Sequence, residues 1–411
     1  MNYIKLVLII FGLFVVNLLP AQDALNKYLE NAAINNPGLQ AEFNEYMAAL
    51  EIVPQVKALP DPQFAFAYFI KPVETRNGPQ EFRFSASQMF PWIGSLKAKG
   101  NSAVQLAKAK YEMFEDSKAE LYYNIRSAYF NLYYTSESIN IMVDNIEILQ
   151  TFQSLALIKI ETGKGSAVDE IRIKMELADL ENNLLLLKDI LVTQKVLFNK
   201  LLNVGSKREI DIEGNFELIR LHMAKDVIFD SIVARNHQLK KLDFQFSSLT
   251  YQEIVAQKMG MPSFSLGLDY ITVGSAAASF SGEDAFVFPK IGISIPLYRN
   301  KYKAMVDEVI YLQKAKTLEK QDKVNVLEGV FENSWKNYQD ASRRLEHYGS
   351  QGILAKQALS ILESTYATQG VSFEEILRME RKVLSYQLAQ IKAISDQQAS
   401  VAFMYYLMGN N

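Results

Sequence analysis

The fold is decided by a proline-free stretch that begins LKAKGNSAVQLAKAKYEMFEDSKAELYYNIRSAYFNLYYTSES (residues 96–138) and continues to Asn203. From Leu121 onward, side chains spaced by four and three residues form a seam with a 3.5-residue period, which keeps one stripe facing a partner helix. We predict one helix over about residues 96–162, roughly 100 Å long at ~1.5 Å per residue, and a second, antiparallel helix after it. The seam comprises Leu121, Ile125, Ala128, Leu132, Thr135, Ile139, Met142, Ile146, Leu149, Gln153, Ala156 and Ile160.

The same plan occurs twice in the chain. A glycine-bearing tip at residues 162–166 separates the first two long helices, and a second tip at residues 368–372 places Gly370 205 residues after Gly165. Asn236 follows Asn36 by 200 residues, as Pro262 follows Pro62. Such self-similarity indicates tandem structural repeats. We assign the first repeat to residues 23–203, the second to residues 236–411, and a small insert of mixed strand and helix character to residues 204–235.

Each repeat contains two runs whose apolar and polar residues alternate, as in strands with two different faces. One face is aromatic or aliphatic and the other is small or polar, which suits a membrane β-barrel; an ordinary soluble hairpin with one half-buried face is the alternative. We expect a polar, turn-rich loop at residues 71–80. The predicted strands cover residues 63–70, 81–90, 263–273 and 285–296, forming hairpins over residues 63–90 and 263–296.

Composition and the N-terminal segment restrict the classes of partner and the cellular location. The net charge is −3 without a basic stripe, which argues against nucleic acid. The chain has no cysteine, which excludes disulfides, thiolate metal ligands and a lipid anchor on cysteine. Residues 1–22 resemble a cleaved export signal. A retained membrane anchor is the alternative, but the apolar run at residues 6–19 is shorter than the ~20 residues that a spanning helix needs.

Four strands cannot close a barrel, and open strand edges are not tolerated in lipid. Several copies must therefore combine, and three copies would supply twelve strands, an even number within the known range. The predicted fold is an α+β membrane protein, in which long helical hairpins and four transmembrane strands per chain assemble into a trimeric tube.

At this point the chain resembles the TolC-like outer-membrane factors of bacterial efflux pumps and type I secretion, over essentially its whole mature length. The matching motifs are Asn36-Pro37, Leu59-Pro60-Asp61-Pro62, Ser87-Gln88-Met89-Phe90-Pro91-Trp92 with Gly94, and the Gly-x-Ser tips followed by acidic residues. The Pro-Asp-Pro and Gln-Met-Phe-Pro-Trp patterns resemble the heavy-metal-efflux branch most. The resemblance implies a homotrimer, an equatorial belt that includes the insert, a periplasmic adaptor (membrane fusion) protein, and an inner-membrane transporter of the resistance–nodulation–division or ATP-binding type.

The two tips carry the candidate site. Ser166 with Asp169, and Ser372 with Glu375, have the spacing of a capping box, which is a purely structural role. The resemblance implies a pore constriction here, where three copies of the acids would favour cations. Glu375 lies where the family often has an aperture acid, whereas Arg378 replaces a second position that is often acidic. The constriction candidates are Asp169, Glu170, Glu374, Glu375 and Arg378, and the adaptor-docking candidates are Gly163, Lys164, Gly165, Ser166, Gly370 and Ser372.

No pattern in the sequence favours an enzyme, a cofactor or a metal. His222, His237 and His347 are dispersed without metal-ligand spacing, and no nucleophile–base pair is evident. We therefore expect a passive exit duct. A periplasmic coiled-coil adaptor or scaffold is the competing interpretation, although an adaptor would need a lipoyl-like or β-barrel domain flanking a single hairpin.

Overall fold

The structure, a computed structural model, describes residues 21–163, 165–212, 221–274, 282–369 and 372–410. Residues 1–20 of the predicted export signal, and Lys164 and Gly370 of the predicted tips, lie outside these ranges. The chain divides into two compact units. The first contains the described residues of Met1–Ala41, Glu115–Asn236 and Asn325–Asn411, and the second contains those of Glu42–Phe114 and His237–Val324.

The same order of elements occurs twice, and a short helix at Lys225–Arg235 lies within the segment assigned to the insert. The order is α1 (Ala21–Asn35), α2 (Pro37–Lys57), β1 (Gln63–Thr75), β2 (Gly78–Phe90), α3 (Ser95–Glu161), α4 (Ala167–Leu201), α5 (Lys225–Arg235), α6 (His237–Met259), β3 (Ser263–Val273), β4 (Ala285–Ser294), α7 (Arg299–Gln369) and α8 (Phe373–Leu407). The long helices have 67 and 71 residues, and the helices that follow each tip have 35.

The predicted seam of α3 is confirmed by its burial in the first unit. Ile125 and Leu132 are fully buried, and Thr135 is buried with them because its hydroxyl donates to the Asn131 carbonyl at 3.1 Å. The seam continues into a core between α3, α4, α7 and α8. This core includes Met142, Ile146, Leu149, Phe152 and Ala156 from α3, Ile173, Leu177 and Leu180 from α4, Ala355, Leu359 and Tyr366 from α7, and Phe373, Ile376, Leu377 and Val383 from α8.

Two asparagines at equivalent repeat positions close the ends of the descending helices in the first unit. The Asn36 amide donates to the Leu201 carbonyl at 3.2 Å, and the Asn236 amide donates to the Leu407 carbonyl at 2.9 Å. The last carbonyls of a helix have no partner within the helix. These two side chains supply one, which explains why asparagine stands at both positions.

The second unit contains one antiparallel sheet in the order β1-β2-β3-β4. Phe66 pairs with Phe84, Phe84 with Tyr270, and Leu266 with Ile291, so the apolar runs share one face. The loop expected at residues 71–80 is wrong: β1 continues to Thr75, and a tight turn leads to β2 at Gly78, whose φ of 128° suits glycine. β4 ends two residues before the predicted boundary.

Among the described residues, no helix is both long enough and apolar enough to cross a lipid bilayer.

Candidate functional site

The first tip is built on two glycines that the backbone requires. Gly163 has a φ of 72°, a region that side chains disfavour. A Cβ on Gly165 would lie 2.8 Å from the backbone nitrogen of Ile160, because the Gly165 amide turns back to donate to the Lys159 carbonyl at 2.9 Å. Glycine at these positions therefore permits the reversal between α3 and α4.

Both helices that leave the tips begin with a capping serine, as predicted. Ser166 Oγ accepts from the Val168 amide at 3.2 Å, and Ser372 Oγ accepts from the Glu374 amide at 3.3 Å. The second half of the predicted capping boxes is replaced by ion pairing, since Asp169 and Glu375 face arginines instead. The carboxylates still lie in the first helical turn, where the helix dipole favours negative charge.

Arg172 joins the acids of the two tips. Its Nη1 lies 3.2 Å from Glu374 Oε2 on α8 and 3.7 Å from Asp169 Oδ1 on its own helix. Glu170 pairs with Lys174 at 2.6 Å, and Glu375 pairs with Arg378 on the same helix. The structure thus brings Asp169 and Glu374 together, and each candidate acid of the constriction has a basic partner.

A second pair between α4 and α8 was not identified from the sequence. Arg381 donates to Glu176 Oε2 from Nε at 2.8 Å and from Nη2 at 2.5 Å, and this bonding raises the pKa of Arg381 above its usual value. The two residues are 205 positions apart, which is the offset between the tips. Comparing charges across that offset would have revealed the pair.

Aromatic packing holds α7 and α8 against α3 beneath the tips. Lys159 Nζ donates to the Tyr366 carbonyl at 2.6 Å and lies 3.4 Å from the centre of the Tyr366 ring, a cation–π contact. The Phe373 ring packs 5.4 Å from that of Tyr366 and 5.7 Å from that of Phe152. The capped starts and these contacts fix the positions of the tip charges.

The sheet of the second unit has two chemically different faces. One face exposes large apolar side chains, and the other carries small and polar residues with three charged ones. The exposed apolar side chains are Phe64, Phe66, Tyr68, Phe84, Phe264, Leu266, Tyr270, Ile291 and Ile293. The opposite face includes Ala65, Ala67, Ser85, Ser87, Gly267 and Gly292, with the charged Arg83, Asp269 and Lys290.

No group of histidines, cysteines and acids among the described residues has the arrangement of a metal site.

No protein-family model matches the chain, and no curated protein sequence matches it either.

Solved structures, in contrast, match along nearly the whole chain. The outer-membrane channel OprN superposes with a TM-score of 0.77 at 16% identity, covering 95% of this chain and 90% of that one. CusC, described as forming a transmembrane channel, gives a TM-score of 0.75 at 15% identity, covering 95% and 92%. The outer membrane protein VceC of Vibrio cholerae gives 0.74 at 15% identity, covering 94% and 96%.

The chain therefore has the fold of the TolC-family outer-membrane channels, and the resemblance identified from its motifs is confirmed at the level of the fold. These structures are channels and membrane proteins rather than enzymes, in agreement with the expectation from the sequence. CusC, OprN and VceC match about equally well, so the assignment to a branch of the family stays a prediction.

Proposed function

We propose that the chain is one subunit of a homotrimeric outer-membrane exit duct, which passes substrate passively from the periplasm to the exterior in a tripartite efflux or type I secretion system. A periplasmic adaptor would deliver the substrate, and an inner-membrane transporter would supply the energy. The fold shared with outer-membrane channels supports the class of protein.

The apolar face of the sheet is the observation that carries this proposal. Phe64 is 81% exposed and Ile291 is 69% exposed, and seven further large apolar side chains share their face. A soluble protein rarely exposes a continuous apolar patch of this size. Lipid is the partner that fits. Along each strand the apolar residues alternate with small or polar ones, which form the opposite face, as in strands of a membrane barrel.

The free strand edges support assembly from several copies. β1 and β4 are the outer strands of the sheet, and each leaves one row of backbone groups unpaired within it. Unpaired backbone groups cost several kcal/mol each in hydrocarbon. Pairing β1 of one copy with β4 of the next removes both edges, and three copies give a closed barrel of twelve strands.

We place the resting constriction of the duct at the tips, with Asp169, Glu170, Glu374 and Glu375 of each copy as its acids. Their partners Arg172, Lys174 and Arg378 reduce the net negative charge, so cation selectivity depends on the balance between the two sets. Planar-bilayer recordings of a Glu375→Gln/Asp169→Asn variant should show reduced cation selectivity. Unchanged selectivity and conductance would remove the acids from the constriction.

The same tips are the proposed docking site for helical hairpins of the adaptor. The proposed docking residues are Gly163, Lys164, Gly165, Ser166, Gly370 and Ser372. Among those that the structure describes, Ser166 and Ser372 are exposed polar residues. Photo-crosslinkers at positions 164 and 369 should capture the adaptor in cells. Capture only from positions in the middle of α3 or α7 would place docking elsewhere.

Fractionation and conductance together test the proposed function. We expect the mature protein in outer-membrane fractions as a heat-modifiable trimer that forms pores in planar bilayers. A monomer released with the soluble periplasmic fraction, without conductance, would contradict the duct and favour the coiled-coil adaptor or scaffold.

A further inference from the structure

The polar face of the sheet carries a charge cluster on three adjacent strands. Asp269 on β3 lies between Arg83 on β2 and Lys290 on β4, and it forms ion pairs with both. Lys290 Nζ is 3.2 Å from Asp269 Oδ2 and 3.3 Å from Oδ1. Asp269 pairs in register with Ser85, and Lys290 pairs with Gly267, so the cluster belongs to the face with small side chains.

The cluster exposes its cations and buries its anion. The side chain of Asp269 is only 5% exposed, whereas those of Arg83 and Lys290 are 39% and 49% exposed. A carboxylate held beneath two cations fixes the position of both while leaving one positive charge uncompensated. Glu81, the next acid along β2, forms no ion pair with Arg83 or Lys290 in the described part of the chain.

Arg83 has more donors than its bond to Asp269 uses. Its Nη2 donates to Asp269, and its side chain is 39% exposed. A guanidinium presents its donors in a fixed fork that matches carboxylate and phosphate oxygens. The neighbours of the cluster in the strand register, Ser85, Gly267 and Gly292, have small side chains.

We infer that Arg83 and Lys290 form an anion-binding station on the lumenal face of the strands, which takes chloride, carboxylate or phosphate groups of the solutes that pass. This inference rests on the proposed function, since it requires that face to line water. Three copies of the cluster would together carry three more positive than negative charges. The duct would then contain a second electrostatic filter, opposite in sign to the acids of the tips.

Ion selectivity of the reconstituted channel tests the station. In planar bilayers with a potassium chloride gradient, the reversal potential reports the ratio of potassium to chloride permeability. Removing both cations in an Arg83→Gln/Lys290→Gln variant should raise that ratio by about two- to five-fold, because charged rings in a pore favour ions of the opposite sign. Lys207→Gln, which removes an exposed positive charge outside the sheet, is the control and should leave the ratio unchanged.

Two further measurements keep the outcome decisive. If the double variant fails to assemble, the single Lys290→Gln variant serves, because Arg83 still compensates Asp269. Inorganic phosphate should reduce the chloride current of the wild-type channel in a dose-dependent manner, and less so in Lys290→Gln. Conducting channels with an unchanged permeability ratio and no effect of phosphate would overturn the station, whereas wild-type protein without conductance would contradict the duct itself.

Discussion

At the scale of single residues, burial and charge conflict at Glu380 of α8. Its side chain is 4% exposed among the core residues of the first unit, and neither carboxylate oxygen has a partner in the described part of the chain. Burial, with a smaller effect of Glu363, raises the pKa of Glu380 to about 7, against an opposing effect of Lys356. The folded protein therefore keeps a proton that the unfolded chain releases.

The raised pKa predicts a loss of stability with rising pH. The native state binds the proton more tightly, so stability falls between the ordinary carboxyl pKa and about 7 and is constant above that range. The loss amounts to roughly 3 kcal/mol. Glu380→Gln should raise the melting temperature at pH 8 and leave it nearly unchanged at pH 5, as measured by circular dichroism in detergent.

Asp144→Asn, which neutralises an exposed carboxylate on α3, is the control for the Glu380 variant and should shift the melting temperature little at either pH. Equal shifts for Glu380→Gln at pH 5 and pH 8 would contradict the assignment of the titrating group.

At the first tip, the crowded position of Gly165 predicts that a larger residue there destabilises the fold. An added Cβ would meet backbone atoms of Ile160 and Lys159 at 2.8 and 2.9 Å, and backbone cannot yield as a side-chain end can. Gly165→Ala should cost about 1–3 kcal/mol, the usual range for overpacking, and should accelerate proteolytic cleavage at the tip.

Gly329→Ala is the matched change within α7, where an added Cβ meets nothing within 4 Å. It should stabilise by up to ~1 kcal/mol through helix propensity. A neutral or stabilising effect of Gly165→Ala would show that the tip does not require glycine there.

At the scale of elements, the descending helices of the two repeats are joined by the Arg381–Glu176 pair. Glu176 is 12% exposed and Arg381 55%, so solvent screens only part of the interaction. A double-mutant cycle with Arg381→Gln and Glu176→Gln should give a coupling energy of about 0.5–1 kcal/mol. The coupling should decrease in high salt.

The same-helix pair Arg378–Glu375 provides the control cycle, with an expected coupling of about 0.2–0.5 kcal/mol. A coupling for Arg381 and Glu176 no larger than this value would mean that the contact does not hold α4 against α8.

The long helices could be predicted from the sequence because a single physical pattern, the 3.5-residue seam without proline, extends over their length. The extension of β1 beyond Ile70 could not, since Lys71, Pro72 and Glu74 interrupt the apolar alternation. The structure explains how a strand tolerates them. The register of β1 against β2 shifts between Tyr68 and Val73, and proline is tolerated at such an irregularity of a strand.

The candidate site was predictable only in part. The capping serines follow from local spacing, whereas the roles of Arg172 and Arg381 depend on which helices of the two repeats are neighbours. The burial of Glu380 is indicated by its helical spacing. It lies three residues after Leu377 and three before Val383, on the same buried stripe of α8.

At the scale of the whole molecule, the central claim is that the sheet is an incomplete piece of a larger closed barrel. Its apolar face is exposed, and β1 and β4 are its outer strands. In the proposed assembly the apolar face meets lipid, and β1 of one copy pairs with β4 of the next, so that identical copies join head to tail until the ring closes.

Disulfide trapping across the strand edges tests this claim most directly, because the chain has no cysteine of its own. We would combine Tyr68→Cys on β1 with Phe288→Cys, Ile291→Cys or Ile293→Cys on β4, with each single variant as control, and oxidise intact outer membranes. At least one pair should yield a covalent trimer on a denaturing gel, at about three times the mass of one chain. One chain has a mass of 46.7 kDa before the export signal is removed. Monomers from every pair, together with a native mass of one chain, would contradict the account.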